Sequence, residues 1–461
     1  MRLLLINPPT NSIIKSVIGV TGPPLGLAYL ASVSREKGHD VRIIDALATG
    51  STFLSIKKEI ESYSPDVVGI TATTSMIYDA YEVAREAKDV DPHIVTVLGG
   101  PHVTFAARET LEESQNIDFI VRGEGEITFL GLLEALQGKR ELRDVPGITF
   151  RTEGGIHDNP PQPLIEDIDS IPPPAIDLLP VKHYTTEKKR FMTIVTSRGC
   201  PYNCTFCSSS LQFGRRWRGH STERVIDELR NIVDSYGVRE IEFLDDTFTL
   251  NLKRAMEVSR EIYREGLDIS WSASARVNLF NREIASSMKK GGAHTVYFGI
   301  ESGSQRIINF IGKGIRPEMV TSSVRAAREE GLKTMGSFII GFPDETKEEV
   351  RSTLKLSRKV GVDVAQFTIA TPYPGTRLWY YAKERGLLFS NDWRKYTTLT
   401  PVMRLKHFTS KQIMYWLGKA YATFYLRPNF LLKDLLRNHG FIFKRIIPYY
   451  SKFMTGNPLK T

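Results

Sequence analysis

The chain has 461 residues, 41% hydrophobic and 25% charged, a balance close to the globular average and a length that suits two or three folded domains rather than a disordered polymer. Three clustered cysteines exclude a disulfide framework, apolar runs broken by charge exclude a spanning helix, and the start MRLLLINPP does not read as a signal peptide, so a cytoplasmic protein is expected. The net charge of +9 is local: residues 401–461 hold eleven Lys and Arg against one acidic residue, leaving 50 basic and 51 acidic groups in the first 400.

Over residues 1–140, short apolar strands alternate with helical stretches: RLLLINP then LGLAYLASVSREKG, DVRIIDA then LSIKKEIESYS, DVVGITA then YDAYEVAREAKDV, HIVTVLGG then FAARETLEES, DFIVRGEG then ITFLGLLEALQG. Strict alternation predicts a doubly wound, Rossmann-like parallel sheet. Ligands of such sheets bind beyond the carboxyl ends of the strands, here NPPT, TATTS, GGPHVT and GEGE. The prolines of DNPPQPLIEDIDSIPPPAIDLLP prevent a continuous helix or central strand, so residues 141–190 read as a linker packed over the next domain.

A second alternating series occupies residues 191–375: FMTIVTSRGC, EIEFLDD, ISWSASARV, HTVYFGIES, KTMGSFIIGFP and VAQFTIATPYPG, with helical stretches between. Six such units predict a partial (β/α)6 barrel whose function lies at the C-terminal strand ends. Residues 376–461 turn helical, with aromatic residues among Lys and Arg. This basic, aromatic region is read either as a cover over the barrel or as a peripheral membrane contact, with no nucleic-acid module recognisable.

All three cysteines, Cys200, Cys204 and Cys207, lie in SRGCPYNCTFCSSS after the first strand of the second series. Three thiols on one loop suit zinc, copper(I) or an iron–sulfur cluster. A structural zinc site closes with four ligands in paired spacings, and no second pair exists here, whereas a cubane held by three cysteines keeps one iron open to a substrate or cofactor.

The C-x3-C-x2-C spacing, with aromatic Phe206 before the last cysteine and a partial barrel around it, resembles the radical S-adenosylmethionine superfamily. The resemblance implies that Cys200, Cys204 and Cys207 hold a [4Fe-4S] cluster whose open iron chelates the methionine part of S-adenosylmethionine. It implies contacts to that cofactor from Asp245 and Asp246 in FLDDTFT, Arg276 at the third strand end, Glu301 and Ser302 in FGIESGS, and the segment around Gly341 in GSFIIGFP. One-electron cleavage of the sulfonium then yields a 5′-deoxyadenosyl radical, and a flavodoxin or ferredoxin supplies the electron. The alternatives in plain physical terms are a helix cap for the aspartates and a barrel ion pair between Glu301 and Arg276.

The first domain lacks G-x-G-x-x-G after its first strand and has no phosphate-binding G-x-x-x-x-G-K-[ST], which weakens nicotinamide and ATP readings. A Rossmann-like domain before this barrel resembles the cobalamin-binding branch of the superfamily, including the anaerobic magnesium-protoporphyrin monomethyl ester cyclase and lipid-modifying enzymes. Many such domains ligate cobalt through D-x-H-x-x-G after the first strand. This chain has no histidine there; DPHIVT, with His93, precedes the fourth strand, and His102 in GGPHVT reads as a turn or packing histidine. Cobalt without a protein histidine is therefore expected.

The resemblance implies a cobalamin-dependent radical enzyme that methylates or joins unactivated carbons of a small hydrophobic or lipid substrate. Oxidative ring formation on a tetrapyrrole, which FYLRP at 424–428 also resembles, is the alternative enzyme. A non-catalytic cobalamin or redox sensor is the alternative class, and it has no need of Asp245, Arg276 and Glu301 together.

Overall fold

The computed structural model describes residues 1–10, 22–186, 189–428 and 430. They form two compact units: Met1–Pro201 with Ser208–Glu242, and Tyr202–Cys207 with the described part of Phe243–Thr461.

In the first unit β1 (Arg2–Asn7), β2 (Asp40–Asp45), β3 (Val67–Thr71), β4 (Val95–Gly99) and β5 (Phe119–Val121) run parallel in the order β2-β1-β3-β4-β5. Leu3, Leu4, Leu5 and Ile6 of β1 are all fully buried, as a strand covered on both faces requires, which is why its sequence is a continuous apolar run rather than an alternating one. The chain leaves β1 for β2 on one side and later returns to β3 on the other, so the order reverses at β1. This is the position where doubly wound sheets open a ligand crevice.

The sheet extends beyond residue 140. β6 (Ile148–Thr152) and β7 (Gly155–Asp158) add an antiparallel hairpin outside β5, inside the stretch expected to be linker. The proline-rich chain that follows keeps Ile165, Ile168 and Ile171 three residues apart, and these pack on Leu25, Tyr29 and Val33 of the helix Leu25–Glu36. Prolines remove regular structure here without removing the apolar period, so the segment is a covering strap of the first sheet's own helix. The unit also holds β8 (Thr185–Thr186), paired antiparallel with β9 (Lys189–Ile194), and a short ribbon of β10 (Ser197–Arg198) with β11 (Arg218–Gly219).

β12 (Glu240–Phe243) carries the division between the units. In the second unit β13 (Ser270–Ala275), β14 (Ala293–Glu301), β15 (Lys333–Ile340) and β16 (Val364–Ile369) lie parallel and adjacent in chain order. All six expected strands therefore form, as β9 and β12–β16, with helices between them, and β13–β16 make the parallel barrel-type sheet of the second unit.

β16 is an edge strand, and the helix Ser410–Tyr425 closes it. The Tyr421 hydroxyl donates to the Phe367 carbonyl (2.9 Å) and accepts from the Phe367 N–H (3.2 Å); Tyr425 does the same at Ala365 (2.8 and 3.1 Å). Four helical residues rise about 6 Å and two strand residues about 6.6 Å, so tyrosines at i and i+4 meet alternate residues of the strand. Side-chain hydroxyls replace the missing neighbour of the edge.

Trp416, Phe424 and Tyr425 are buried. These aromatics of the tail are cover for the half-barrel, and Phe424 and Tyr425 of FYLRP are engaged in that packing. The basic residues Lys433, Arg437, Lys444 and Arg445, with the aromatics from Phe441 onward, lie outside the described residues. No described helix is long and apolar enough to cross a membrane.

Candidate active site

In the second unit the residues 202–207 of the cysteine loop are pinned from two sides. Thr205, buried between Cys204 and Phe206, donates its N–H to the Ile311 carbonyl (2.8 Å) and its hydroxyl to the carbonyls of Phe310 and Ile311 (2.7 and 2.9 Å). These carbonyls end the helix Gln305–Ile311 and have no intrahelical partners. The Thr205 carbonyl in turn accepts from the N–H of Leu378 (2.8 Å), in the first turn of the helix Arg377–Glu384. A turn joins the Cys207 N–H to the Cys204 carbonyl at 3.1 Å, and Phe206 is half-buried.

Arg276 follows β13 directly. Its guanidinium lies 3.4 Å from the centre of the Tyr202 ring and 4.0 Å from the Cys204 sulfur, and it donates to the Lys313 carbonyl and to Asn278. A cation held against a thiol and an aromatic face, 5% exposed, is costly to bury unless its charge is used. Glu301, which ends β14, pairs with Lys313 rather than with Arg276: Lys313 Nζ donates to Glu301 Oε1 at 2.5 Å, both side chains being buried. The other oxygen has the Ser337 hydroxyl at 3.5 Å, a weak contact.

Two backbone features aim this carboxylate. The β14–β15 register shifts between Gly299 and Glu301, and Glu301 has φ +66°, a left-handed conformation that a non-glycine residue adopts only when its surroundings hold it there. A Cβ on Gly299 would stand 2.4 Å from Lys313 Nζ and 2.6 Å from Glu301 Oε1. Glycine is what lets the ion pair lie across the strand.

Asp245 and Asp246 follow β12, with Asp245 buried and its carbonyl accepting from the Ser274 hydroxyl (2.7 Å). The caps of the next two helices are Thr247 and Asn251, so neither aspartate is a capping residue. Ser302 is buried; its hydroxyl meets Thr353 at 3.1 Å and accepts from the Ser304 N–H, which gives it a local role in starting the helix after β14. Gly341, at φ +84° after β15, donates its N–H to Glu345 Oε2, as does Phe342. Burial pushes the Glu345 carboxyl up to about 8, against the pull of those two N–H groups. Asp245, Arg276, Glu301 and Gly341 thus all stand at C-terminal strand ends. Tyr202, Thr205 and Lys313, which complete the arrangement, escaped the sequence reading because their partners are 74, 106 and 12 residues distant.

In the first unit the Cys200 N–H donates to the Gly214 carbonyl at 3.1 Å. At the carboxyl ends of β1 and β2, buried Asp45 accepts from the Asn7 amide (2.8 Å), the Tyr184 hydroxyl (2.8 Å) and the Ala48 N–H (3.2 Å). His102 follows β4, buried, with Nδ1 3.2 Å from the Thr74 hydroxyl; burial lowers its pKa to about 4, so it is neutral at pH 7. His93 is exposed and precedes β4, at the opposite end of the strands.

All three cysteines are outside any disulfide and partly exposed, unlike inert core cysteines. Among the described residues no three His, Cys, Asp or Glu side chains stand close enough to hold one metal ion. A cubane takes each thiolate at a different iron, so its ligands stand farther apart than donors around one ion. A donor set of three sulfurs suits such a cluster.

The chain matches the B12 binding domain family over residues 11–133 and the radical SAM superfamily over residues 194–357. It is 59% identical to an uncharacterized methyltransferase of Pyrococcus horikoshii, over 97% of each chain. It is 31% identical to the anaerobic magnesium-protoporphyrin IX monomethyl ester cyclase of Rubrivivax gelatinosus, over 94% of this chain and 78% of that one. Among solved structures, the radical S-adenosylmethionine methyltransferase TsrM of Kitasatospora setae, with cobalamin and a [4Fe-4S] cluster bound, superposes with a TM-score of 0.71 at 20% identity, covering 85% of this chain and 76% of that one. Its fold is the one described above, and its bound groups are the ones expected from the sequence here. Two domain families joined in this order, with relatives above 30% identity along nearly the whole length, mean that the chain belongs to the radical S-adenosylmethionine enzymes that carry a B12 binding domain.

Proposed function

We propose that this enzyme transfers a methyl group to an unactivated carbon of a small hydrophobic substrate, with Cys200, Cys204 and Cys207 holding a [4Fe-4S] cluster and residues 1–140 holding cobalamin. The observation that carries the reading is the seating of Cys204 against Arg276, beside Lys313 and Glu301, at the C-terminal ends of parallel strands. When bound, the cluster supplies one electron to the sulfonium of S-adenosylmethionine and cobalamin carries the methyl group. The chain's own residues do the rest. Arg276 presents a fixed positive charge to the cofactor carboxylate, and Asp245 and Asp246 receive its amino group. Glu301, whose second oxygen has only the weak Ser337 contact, accepts from the ribose, while Ser302 shapes the turn beside it. The left-handed turn at Gly341 ends the strand that lies along the adenine, and Phe206 shields the loop from water.

A methyl-group reading is supported by the 59% identity to a protein named as a methyltransferase. Oxidative ring formation on a tetrapyrrole is the second reading, supported by the 31% identity to the cyclase. The hydrophobic substrate and a peripheral membrane contact are supported by the sequence of the basic, aromatic tail, and a flavodoxin or ferredoxin is the electron donor.

Anaerobic purification with cobalamin, followed by mass spectrometry of turnover with lipid and tetrapyrrole extracts, tests the proposal. Methyl transfer leaves S-adenosylhomocysteine beside 5′-deoxyadenosine, whereas ring oxidation leaves 5′-deoxyadenosine alone. Replacing the three cysteines by Ala should abolish iron binding and both products; survival of either product in that variant sinks the reading.

A further inference from the structure

The first unit contains a buried ionic joint that the proposed chemistry does not use. Glu124 of GEGE lies just ahead of the helix Gly125–Leu136. Its Oε1 accepts from Arg198 Nη1 (3.3 Å), and its Oε2 accepts from Arg218 Nη1 (2.8 Å) and from the Ile165 N–H (3.0 Å). Arg198 Nη2 also donates to Glu126 Oε1 at 2.6 Å. The four side chains are between 2% and 8% exposed. Burial works against the charge of Arg198, and Glu126 with Glu124 more than restores it.

Arg198 and Arg218 face each other across the β10–β11 ribbon, and Cys200 lies two residues beyond Arg198. Arg218 Nη2 donates to the Phe213 carbonyl at 2.7 Å, and the next carbonyl, Gly214, accepts the N–H of Cys200. Gly199, at φ +87°, lies so tightly on the same segment that a Cβ there would stand 2.3 Å from the Arg216 carbonyl. Both sides of the cradle around Cys200, residues 198–199 and residues 213–218, hang from one carboxylate. A buried ion cluster adds little stability over an apolar core of the same shape, but its bonds are directional and hold one geometry.

We propose that Glu124 is a positioning residue for Cys200: through Arg198 and Arg218 it sets the orientation in which that thiol meets the iron–sulfur cluster. The proposal rests on the cluster reading above and extends it to a residue of the B12 binding domain.

The test uses the full chain, purified anaerobically, as wild type, Glu124→Gln, Arg218→Lys and the triple cysteine variant. Iron per chain, the rate of iron loss to a chelator and the electron paramagnetic resonance spectrum of the reduced cluster are measured beside circular dichroism and the unfolding midpoint. Glu124→Gln is expected to stay folded, lose iron roughly tenfold faster, as removal of a group that orients a metal ligand does, and shift the resonance line shape. Arg218→Lys, which keeps the charge but not the fork, is expected to show the same change more weakly, and it carries the test if Glu124→Gln does not fold. Folded variants with a lower midpoint but wild-type iron loss and line shape overturn the proposal, because they show a joint that only stabilises. Wild type without iron, or a triple cysteine variant that keeps it, overturns the cluster reading instead.

Discussion

Two buried carboxylates of the first unit and two of the second are compensated in different ways. In the first, Glu124 uses both oxygens on two arginines and a backbone N–H, and Asp45 likewise is met by three donors. In the second, Glu301 has one strong partner, a weak second contact and a left-handed backbone, and Glu345 Oε1 is buried with no hydrogen-bond partner. Satisfied buried groups hold parts of the chain together; incompletely satisfied ones at strand ends keep capacity for something else, and local strain beside them marks a site rather than a joint.

The sharpest way to break this comparison is to remove one cation from each unit. Lys313→Met leaves the buried Glu301 carboxylate without its cation and should cost about 3–5 kcal/mol in urea unfolding; Arg218→Met, which leaves Glu124 with Arg198 and the Ile165 N–H, should cost less. At matched iron content, only Lys313→Met should also weaken S-adenosylmethionine binding, measured by equilibrium dialysis on the anaerobic protein. Equal loss of binding in both variants would erase the distinction between joint and site.

A smaller effect is expected at the covered edge of β16. Tyr425→Phe leaves the N–H and carbonyl of Ala365 without their partner and should destabilise by about 1–3 kcal/mol; the less buried Tyr421 should cost less when changed to Phe. Wild-type unfolding midpoints for both would mean that the helix holds the edge by apolar contact alone.

Glu345 and His102 carry opposite pH dependences. Glu345, with a folded pKa of about 8 against an ordinary 4.5, keeps its proton in the folded chain where the unfolded chain has released it. Its contribution therefore falls as pH rises from about 4.5 to about 8 and is level above. His102, lowered to about 4 from 6.5 by burial, acts in the opposite sense: the unfolded chain binds the proton first, so stability is lost as pH falls from about 6.5 towards 4. Unfolding midpoints across this range for wild type, Glu345→Gln and His102→Asn should show each variant flattening its own limb. An unchanged slope in Glu345→Gln would mean that the carboxyl is ionised in the folded chain.

The smallest effect concerns residues 433–445. Replacing Lys433, Arg437, Lys444 and Arg445 by Gln should release the protein from anionic vesicles at low salt, each basic group contributing up to about 1 kcal/mol near such a surface. Cluster content should not change. Wild type that stays in the supernatant at every salt concentration would remove the support for a membrane-delivered substrate.

Much of this protein was legible in its sequence because the signals are local. Strand and helix periods are written in runs of five to fifteen residues, so the Rossmann-like sheet and the six barrel-type strands could be read directly, and C-x3-C-x2-C carried the resemblance to the superfamily without any tertiary information. The hairpin at 148–158 was hidden by the prolines that follow it, and the strap at 165–171 could not be assigned to the helix it covers, because an apolar period does not say which surface will bury it. The tail's aromatics resembled a membrane-seeking face, yet Trp416, Phe424 and Tyr425 are spent on the half-barrel.

Sequence alone determined the family, the strand ends and the cysteines. Only the tertiary structure decided the partners: that Glu301 meets Lys313 and not Arg276, that Arg276 lies on Tyr202 beside Cys204, and that Glu124 holds the two sides of the Cys200 cradle. The physical reason is distance along the chain. A charge is conspicuous in sequence, but the group that compensates it is chosen by which strand ends the fold brings together, and that choice sits in no local window of residues.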